Sequence, residues 1–163
     1  MVGISGEMPM PSPQVVEKPV YSGACQCGAI SFETKGTALF CSHCHCNYCR
    51  KSHGSAFVTW VGYLQERVTI SVHEQASLSW FESSAFSQRG FCNRCGSRLF
   101  FKSSLCKGEL HIARACFNEE IDTLPEQHDF FDQTQGWARP DADIPKVLSS
   151  DDSLARYKDI PRG

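Results

Sequence analysis

Four cysteines, Cys41, Cys44, Cys46 and Cys49, stand within nine positions, followed at once by Gly54 and the apolar run from Ala56. Cys-x-Cys and Cys-x-x-Cys spacings let successive sulfurs converge on one tetrahedral cation, so a short backbone segment can wrap a metal. A second set is split across the chain, as Cys25-x-Cys27 near the start and Cys92-x-x-Cys95 about two-thirds along. Ten cysteines would also allow five disulfides. Eight of them, however, lie in these tight clusters, where neighbouring sulfurs share a metal more easily than they form unstrained bridges. The expectation is metal sites and reduced thiols.

The 163 residues, 41% of them hydrophobic, suffice for one globular domain with its own core and not for two. A net charge of -2 carries no basic footprint, which argues against a nucleic-acid partner. The longest mainly apolar run, Ala56 to Leu64, is too short to span a bilayer, and the N-terminus lacks a signal-peptide pattern. The reading is a soluble, cytoplasmic protein with no membrane partner.

Residues 1–19 carry many prolines and little apolar material, as expected of a flexible leader. Ordered structure is expected from Val20, with a lead-in to Gly23 and a turn at Gly28. Strands are expected at Ala29 to Thr34, Ala38 to Cys41, Ala56 to Tyr63, Val68 to Val72, Leu78 to Glu82, Arg89 to Phe91, Leu99 to Lys102 and Glu109 to Ala115. The Val68 and Leu78 strands read as a pair joined through the polar turn at His73-Glu74-Gln75. A short helix from near His45 would finish in the polar segment Arg50 to Ser55. Many short strands without a long helical period indicate a mainly β domain. From Thr123 onward the chain is expected to wrap over the sheet, anchored by Phe130, Phe131 and Trp137.

Cys92-Asn-Arg-Cys95-Gly96 has the form of a zinc knuckle, with the glycine relieving the backbone after the second thiolate. Cys25 and Cys27 complete a four-sulfur set. Such a site is closed and structural, and its binding free energy becomes folding free energy. The central cluster leaves two alternatives at this stage. Cys41, Cys44, Cys46 and Cys49 together would make a second closed site. Three of them would leave a fourth position open, where an incoming thiol can bind as thiolate at neutral pH. Three thiolates on Zn(II) make a net negative centre and a weak Lewis acid, so chemistry on a small thiol adduct suits it better than hydrolysis.

Gly23-Ala-Cys25-Gln-Cys27-Gly28-Ala-Ile-Ser-Phe32, Cys44-His-Cys46-Asn-Tyr-Cys49-Arg-Lys-Ser-His-Gly54-Ser-Ala-Phe57, Gly90-Phe-Cys92-Asn-Arg-Cys95-Gly96 and His128-Asp-Phe130 with Trp137 together resemble the glutathione-dependent formaldehyde-activating enzyme family, also called the centromere protein V/Gfa domain. The resemblance covers residues 20–147, leaving 148–163 as a C-terminal tail. It implies a mainly β, Mss4-like zinc-containing β-sheet fold with short helical turns. It implies two zincs per chain, a structural one on Cys25, Cys27, Cys92 and Cys95 and a catalytic one on Cys44, Cys46 and Cys49. The implied activity is that of a carbon–sulfur lyase whose partners are a small thiol such as glutathione and a small carbonyl, archetypally formaldehyde giving S-hydroxymethylglutathione. The contrasting reading is a non-enzymatic, zinc-stabilised Mss4-like binding module.

Two features depart from the family pattern. Cys41 lies outside it and reads as an idle strand residue, a fourth ligand or a resolving thiol. Asp129 and Gln133-Thr134-Gln135-Gly136 replace, respectively, the usual hydrophobic residue and the stretch holding the usual basic one, which bears on the identity of the thiol. His43, His45 and His53 read as solvated or hydrogen-bonding neighbours of the ligands, and His111 as an ordinary strand residue. Arg50, Lys51, Arg89, Arg94, Arg98 and Arg114 are candidates for binding the carboxylates of a glutathione-like ligand. Phe57, Trp60, Phe91, Phe100 and Phe101 read as core with one or two lining a pocket, and Cys106 and Cys116 as packing residues.

Overall fold

A computed structural model of the chain describes residues 20–73 and 77–138. The leader at 1–19, the tail at 148–163 and the far end of the domain lie outside the described residues, as does most of the turn at Glu74-Gln75.

Among the described residues, ten strands form two sheets. β1 (Val20–Ala24), β2 (Ile30–Lys35) and β5 (Val68–Val72) make a three-stranded sheet in the order β1-β2-β5. The other seven are β3 (Phe40–Cys44), β4 (Val58–Leu64), β6 (Leu78–Ser84), β7 (Ser87–Cys92), β8 (Arg98–Ser103), β9 (Glu109–Ala113) and β10 (Gln127–Asp129). They run in the order β10-β3-β4-β9-β8-β7-β6. The expected mainly β architecture is present.

The expected β5–β6 pair is not formed. β5 instead pairs antiparallel with β2, Phe32 standing opposite Ile70, while β6 pairs with β7. The reason lies in burial. Ile70 and Val68 pack with Ile30 and Phe32 into the principal core, an attachment that a local hairpin with β6 would forgo. The lead-in to Gly23 is likewise a paired strand, β1, with Gly23 opposite Phe32.

Side chains alternate across a strand, so the large sheet has two distinct faces. Cys41, Val61, Tyr63, Leu110, Ile112 and Phe100 pack against Ile30 and Phe32 of the small sheet in a continuous core. Phe32 and Phe100 meet edge to face at 5.7 Å. A bulge in β8 sets Gly90 opposite Phe100 and Phe91 opposite Arg98, and both Leu99 and Phe100 are buried in that core. The second face holds Cys44, Val58, Trp60 and Ala113 in a smaller cluster with Phe40 and Phe101 against it. This second face carries the candidate site.

The one α-helix among the described residues, α1 (Asn47–His53), lies over that face. Cys46 is its N-cap, the sulfur accepting from the Cys49 amide at 3.3 Å. Gly54 ends it in the left-handed region, at φ 60°, where its amide reaches the Arg50 carbonyl. No described helix is long and apolar enough to cross a membrane.

The segment after Thr123 does return to the large sheet, as β10 parallel to β3, with His128 beside His43 and Asp129 beside Cys44. Its aromatic residues are not buried anchors, since Phe130, Phe131 and Trp137 are all exposed. What secures it instead is polar: the Glu126 amide to the Cys41 carbonyl at 3.0 Å and the Ser42 hydroxyl to Asp129 Oδ2 at 2.6 Å.

Candidate metal centre

Cys25, Cys27, Cys92 and Cys95 come together, their sulfurs all within 4.8 Å of one another. Cys25 and Cys27 are 3.6 Å apart and Cys27 and Cys92 3.8 Å. A zinc–sulfur bond near 2.3 Å requires sulfur–sulfur edges of about 3.8 Å in a tetrahedron, so this donor set fits zinc. The two halves are built alike. The Gly28 amide bonds the Cys25 carbonyl at 3.0 Å and the Gly96 amide the Cys92 carbonyl at 2.8 Å, with φ of 75° and 77° at the two glycines. In each half the first cysteine's amide also reaches five residues ahead, Cys25 to the Ile30 carbonyl and Cys92 to that of Ser97, both at 2.9 Å. Gln26 of the first half donates its amide to Ser97 Oγ of the second at 3.0 Å. The knot ties the small sheet to the far side of the large one.

Cys44, Cys46 and Cys49 form the second group, again with sulfurs within 4.8 Å. Each is placed by a different local device. Cys44 ends β3 opposite Val58, Cys46 caps α1, and Cys49 is the residue of α1 that turns inward and is buried. Cys41 is absent from this group. β3 runs on to Cys44 rather than stopping at Cys41, and a separation of three residues along a strand puts the two on opposite faces. Cys41 therefore belongs to the principal core, walled off by the sheet, and burial pushes its thiol up.

Donors converge on one sulfur of the group. Trp60 Nε1 donates to Cys49 Sγ at 3.4 Å, and Arg89 directs Nη1 and Nη2 at the same sulfur at 3.7 and 3.6 Å. Hydrogen bonding within the trio splits the three thiols: it holds Cys46 far below the usual thiol range, while bonds to Cys46 and Cys49, with burial, push Cys44 up, and Cys49 is raised as well. Arg89 is itself buried, its guanidinium lying over Phe101 at 5.0 Å from the ring centre. Were a divalent cation held there by three thiolates, one net negative charge would remain, and this arginine would face it. Its register position explains the placement: Arg89 stands opposite Phe101, which stands opposite His111, all on the face that carries Cys44.

Above the group opens a cavity of about 330 Å³ lined by the three cysteines, Trp60, Phe101, Arg89, His111, Asp129 and Phe130. Beside it lies a cleft of about 750 Å³ that shares Tyr48, Ser83 and Arg89 and adds Lys51, Phe81, Phe91 and Arg98. Of the six basic candidates, Arg89, Lys51 and Arg98 thus border the site. Arg50 instead bonds the His45 carbonyl and the Asn47 side chain, and Arg114 bonds the carbonyls of Ile121 and Thr123.

The histidines group on the other side of β10. His45 Nε2 and His128 Nδ1 are 2.8 Å apart, His45 Nδ1 meets Thr134 Oγ1 at 3.1 Å, and His43 Nδ1 meets Thr59 Oγ1 at 2.8 Å. Burial, with the neighbouring His128, lowers both His43 and His45. Phe57 is half exposed and lies edge-on to His43 and tilted against His45 rather than entering the core. His111 was legible only as a strand residue, yet it lines the cavity. The signal for it is its two-residue offset from Ala113, which stands opposite Trp60 and so fixes its face.

The sequence over residues 20–133 matches the family described as glutathione-dependent formaldehyde-activating enzyme. A Schizosaccharomyces pombe protein named as an uncharacterized lyase is 31% identical over 130 residues, covering 71% of this chain and 89% of that protein. A crystal structure of a Rhodobacter sphaeroides protein has a similar fold, with a TM-score of 0.51 and 18% identity over 62% of this chain and 91% of the other.

Proposed function

Because the chain belongs to the glutathione-dependent formaldehyde-activating enzyme family, we propose that it is a zinc-dependent carbon–sulfur lyase acting on the adduct of a small thiol and a small carbonyl, archetypally glutathione and formaldehyde. The observation that carries this reading is the three-cysteine group of Cys44, Cys46 and Cys49, without Cys41, opening into a cavity. A zinc held by three protein ligands keeps a fourth position at which a substrate thiol binds as thiolate with a lowered pKa.

The chain's own residues set the conditions for that sulfur. Trp60 and Arg89 donate to Cys49, drawing negative charge away from the centre, so that a further thiolate is less strongly repelled. Trp60, Phe101 and Phe130 give the cavity an apolar wall for the carbon side of the adduct. In the condensing direction a bond forms between the thiol sulfur and the carbonyl carbon, the carbonyl π pair moves to oxygen, and the proton lost by the thiol ends on that oxygen. Lysis runs the same steps backward. Lys51 and Arg98 in the adjoining cleft suit a thiol that carries carboxylates. The two all-cysteine donor sets support one closed and one open zinc site.

The test is exchange spectroscopy by NMR on glutathione, formaldehyde and their hydroxymethyl adduct. Exchange faster than the spontaneous rate at catalytic protein concentration is expected. No acceleration with fully metallated protein would sink the glutathione–formaldehyde activity.

A further inference from the structure

We propose a third metal site, a transition-ion site formed by Cys106, Glu109 and His111 and separate from both cysteine clusters. These three offer a thiolate, a carboxylate and an imidazole whose donor atoms all lie within 4.8 Å of one another. The segment is short, Cys-x-x-Glu-x-His, and its geometry follows from the turn between β8 and β9.

The turn is fixed at both ends. The Cys106 amide bonds the Ser103 carbonyl at 3.1 Å, the Glu109 amide bonds the Cys106 carbonyl at 3.2 Å, and Gln65 donates its amide to the Gly108 carbonyl at 2.8 Å. Gly108 has φ of 79°, which lets the chain reverse directly into β9. Glu109 and His111 are two apart on that strand and share one face, so Cys106 swings over the pair rather than away from it.

His111 is the most constrained of the three. Its ring is buried, with Phe40 edge-on at 4.8 Å and Phe101 at 5.4 Å. Its Nε2 faces Glu109 Oε2 at 2.8 Å. A tetrahedral ion with nitrogen and oxygen ligands near 2.0–2.2 Å needs those atoms about 3.3 Å apart, so an opening of about half an ångström admits it. The Glu109 side chain is 31% exposed and can make that movement.

The mixture of donors selects the ion. Sulfur and imidazole disfavour calcium and magnesium and suit Zn(II) or Co(II). Thiolate and carboxylate together match the charge of a divalent cation. A polar cleft of about 370 Å³ bordered by Cys106, Glu109, Gln65 and Gln88 gives access from solvent and leaves a fourth ligand position to water. Lys102 and Lys107 also border this cleft, but the Lys102 ammonium is engaged over Trp80 at 4.1 Å. Because His111 also lines the cavity above Cys44, Cys46 and Cys49, an ion here would lie on the same sheet face as that group.

Equilibrium dialysis of the full chain against buffered zinc, with metal counted per chain, tests the site through a difference. Wild type is expected to hold one more zinc than Cys106→Ser, and one more than Glu109→Gln should that thiol variant misfold by circular dichroism. Loaded with Co(II) in place of zinc, wild type should show a stronger thiolate-to-cobalt absorption band than equally loaded Cys106→Ser. Equal metal counts in wild type and folded variants, or an unchanged cobalt band, would overturn the proposal. The difference holds whether or not the open cysteine group is occupied, so failure here is distinct from failure of the lyase reading.

Discussion

Arg89 on β7 and Cys49 on α1, 40 residues apart in sequence, meet with both terminal guanidinium nitrogens within 3.7 Å of the sulfur. A buried cation facing a cysteine that belongs to a three-thiolate group is a charge match. Hydrogen bonds to charged groups are worth about 1.5–3 kcal/mol. Arg89→Met should therefore weaken metal binding at Cys44, Cys46 and Cys49 by about 10- to 100-fold and leave the four-sulfur site unaffected. Competition with a chromophoric chelator reads the two affinities separately. Arg89→Lys should recover part of the loss, since it restores charge without the forked geometry.

Gly62 is a packing requirement. It stands opposite both Phe40 and His111, and a Cβ there would fall 2.2 Å from Phe40 Cε1. Gly62→Ala should cost about 1–3 kcal/mol, the usual range for overpacking. Displacing Phe40 should also change the cavity wall. Chemical denaturation measures the first effect, and binding of the thiol substrate measures the second.

His53 gives the fold a sensitivity to acid. Burial, reinforced by the Arg89 and Arg98 cations, lowers it to about 4. The folded state therefore favours the neutral ring, and the unfolded chain binds the proton first as pH falls. Its contribution is complete above the unfolded value near 6.5 and is lost as pH drops toward about 4. At about 1.4 kcal/mol per unit, discounted for partial exposure, the loss is about 2 kcal/mol. Urea unfolding of wild type and His53→Asn across that window isolates it, because acid protonation of the metal-binding thiols affects both proteins alike. Parallel stability curves would contradict the assignment.

The restriction of the central group to Cys44, Cys46 and Cys49 came from the family resemblance. The Cys-x-Cys and Cys-x-x-Cys pairs themselves were legible in the sequence because ligand spacing is local and such a turn carries its geometry wherever the strands go. Most strands were legible for the same reason, through alternation and β-branched content. The partner of β5 was not. Val68 and Ile70 read equally well as half of a hairpin with β6, and only the shared core with Ile30 and Phe32 decides for β2. The status of Cys41 depended on where β3 ends, since three more residues of strand place it and Cys44 on opposite faces. Arg89 carried no local sign of its role. An arginine within a strand reads as a surface charge until the register places it between Phe101 and Cys49. Phe130, Phe131 and Trp137 misled in the other direction, because aromatic residues in a polar segment look like anchors and here remain exposed.

Metal content measured alongside thermal unfolding in Cys46→Ser and Cys92→Ser tests most directly the proposed division of labour between a closed four-sulfur knot and an open three-sulfur site. Cys46→Ser should lose one zinc and still unfold cooperatively, whereas Cys92→Ser should lose the cooperative transition along with its zinc. A Cys46→Ser protein that fails to fold would show that the group at Cys44, Cys46 and Cys49 holds the structure together, and would contradict its assignment as the open site.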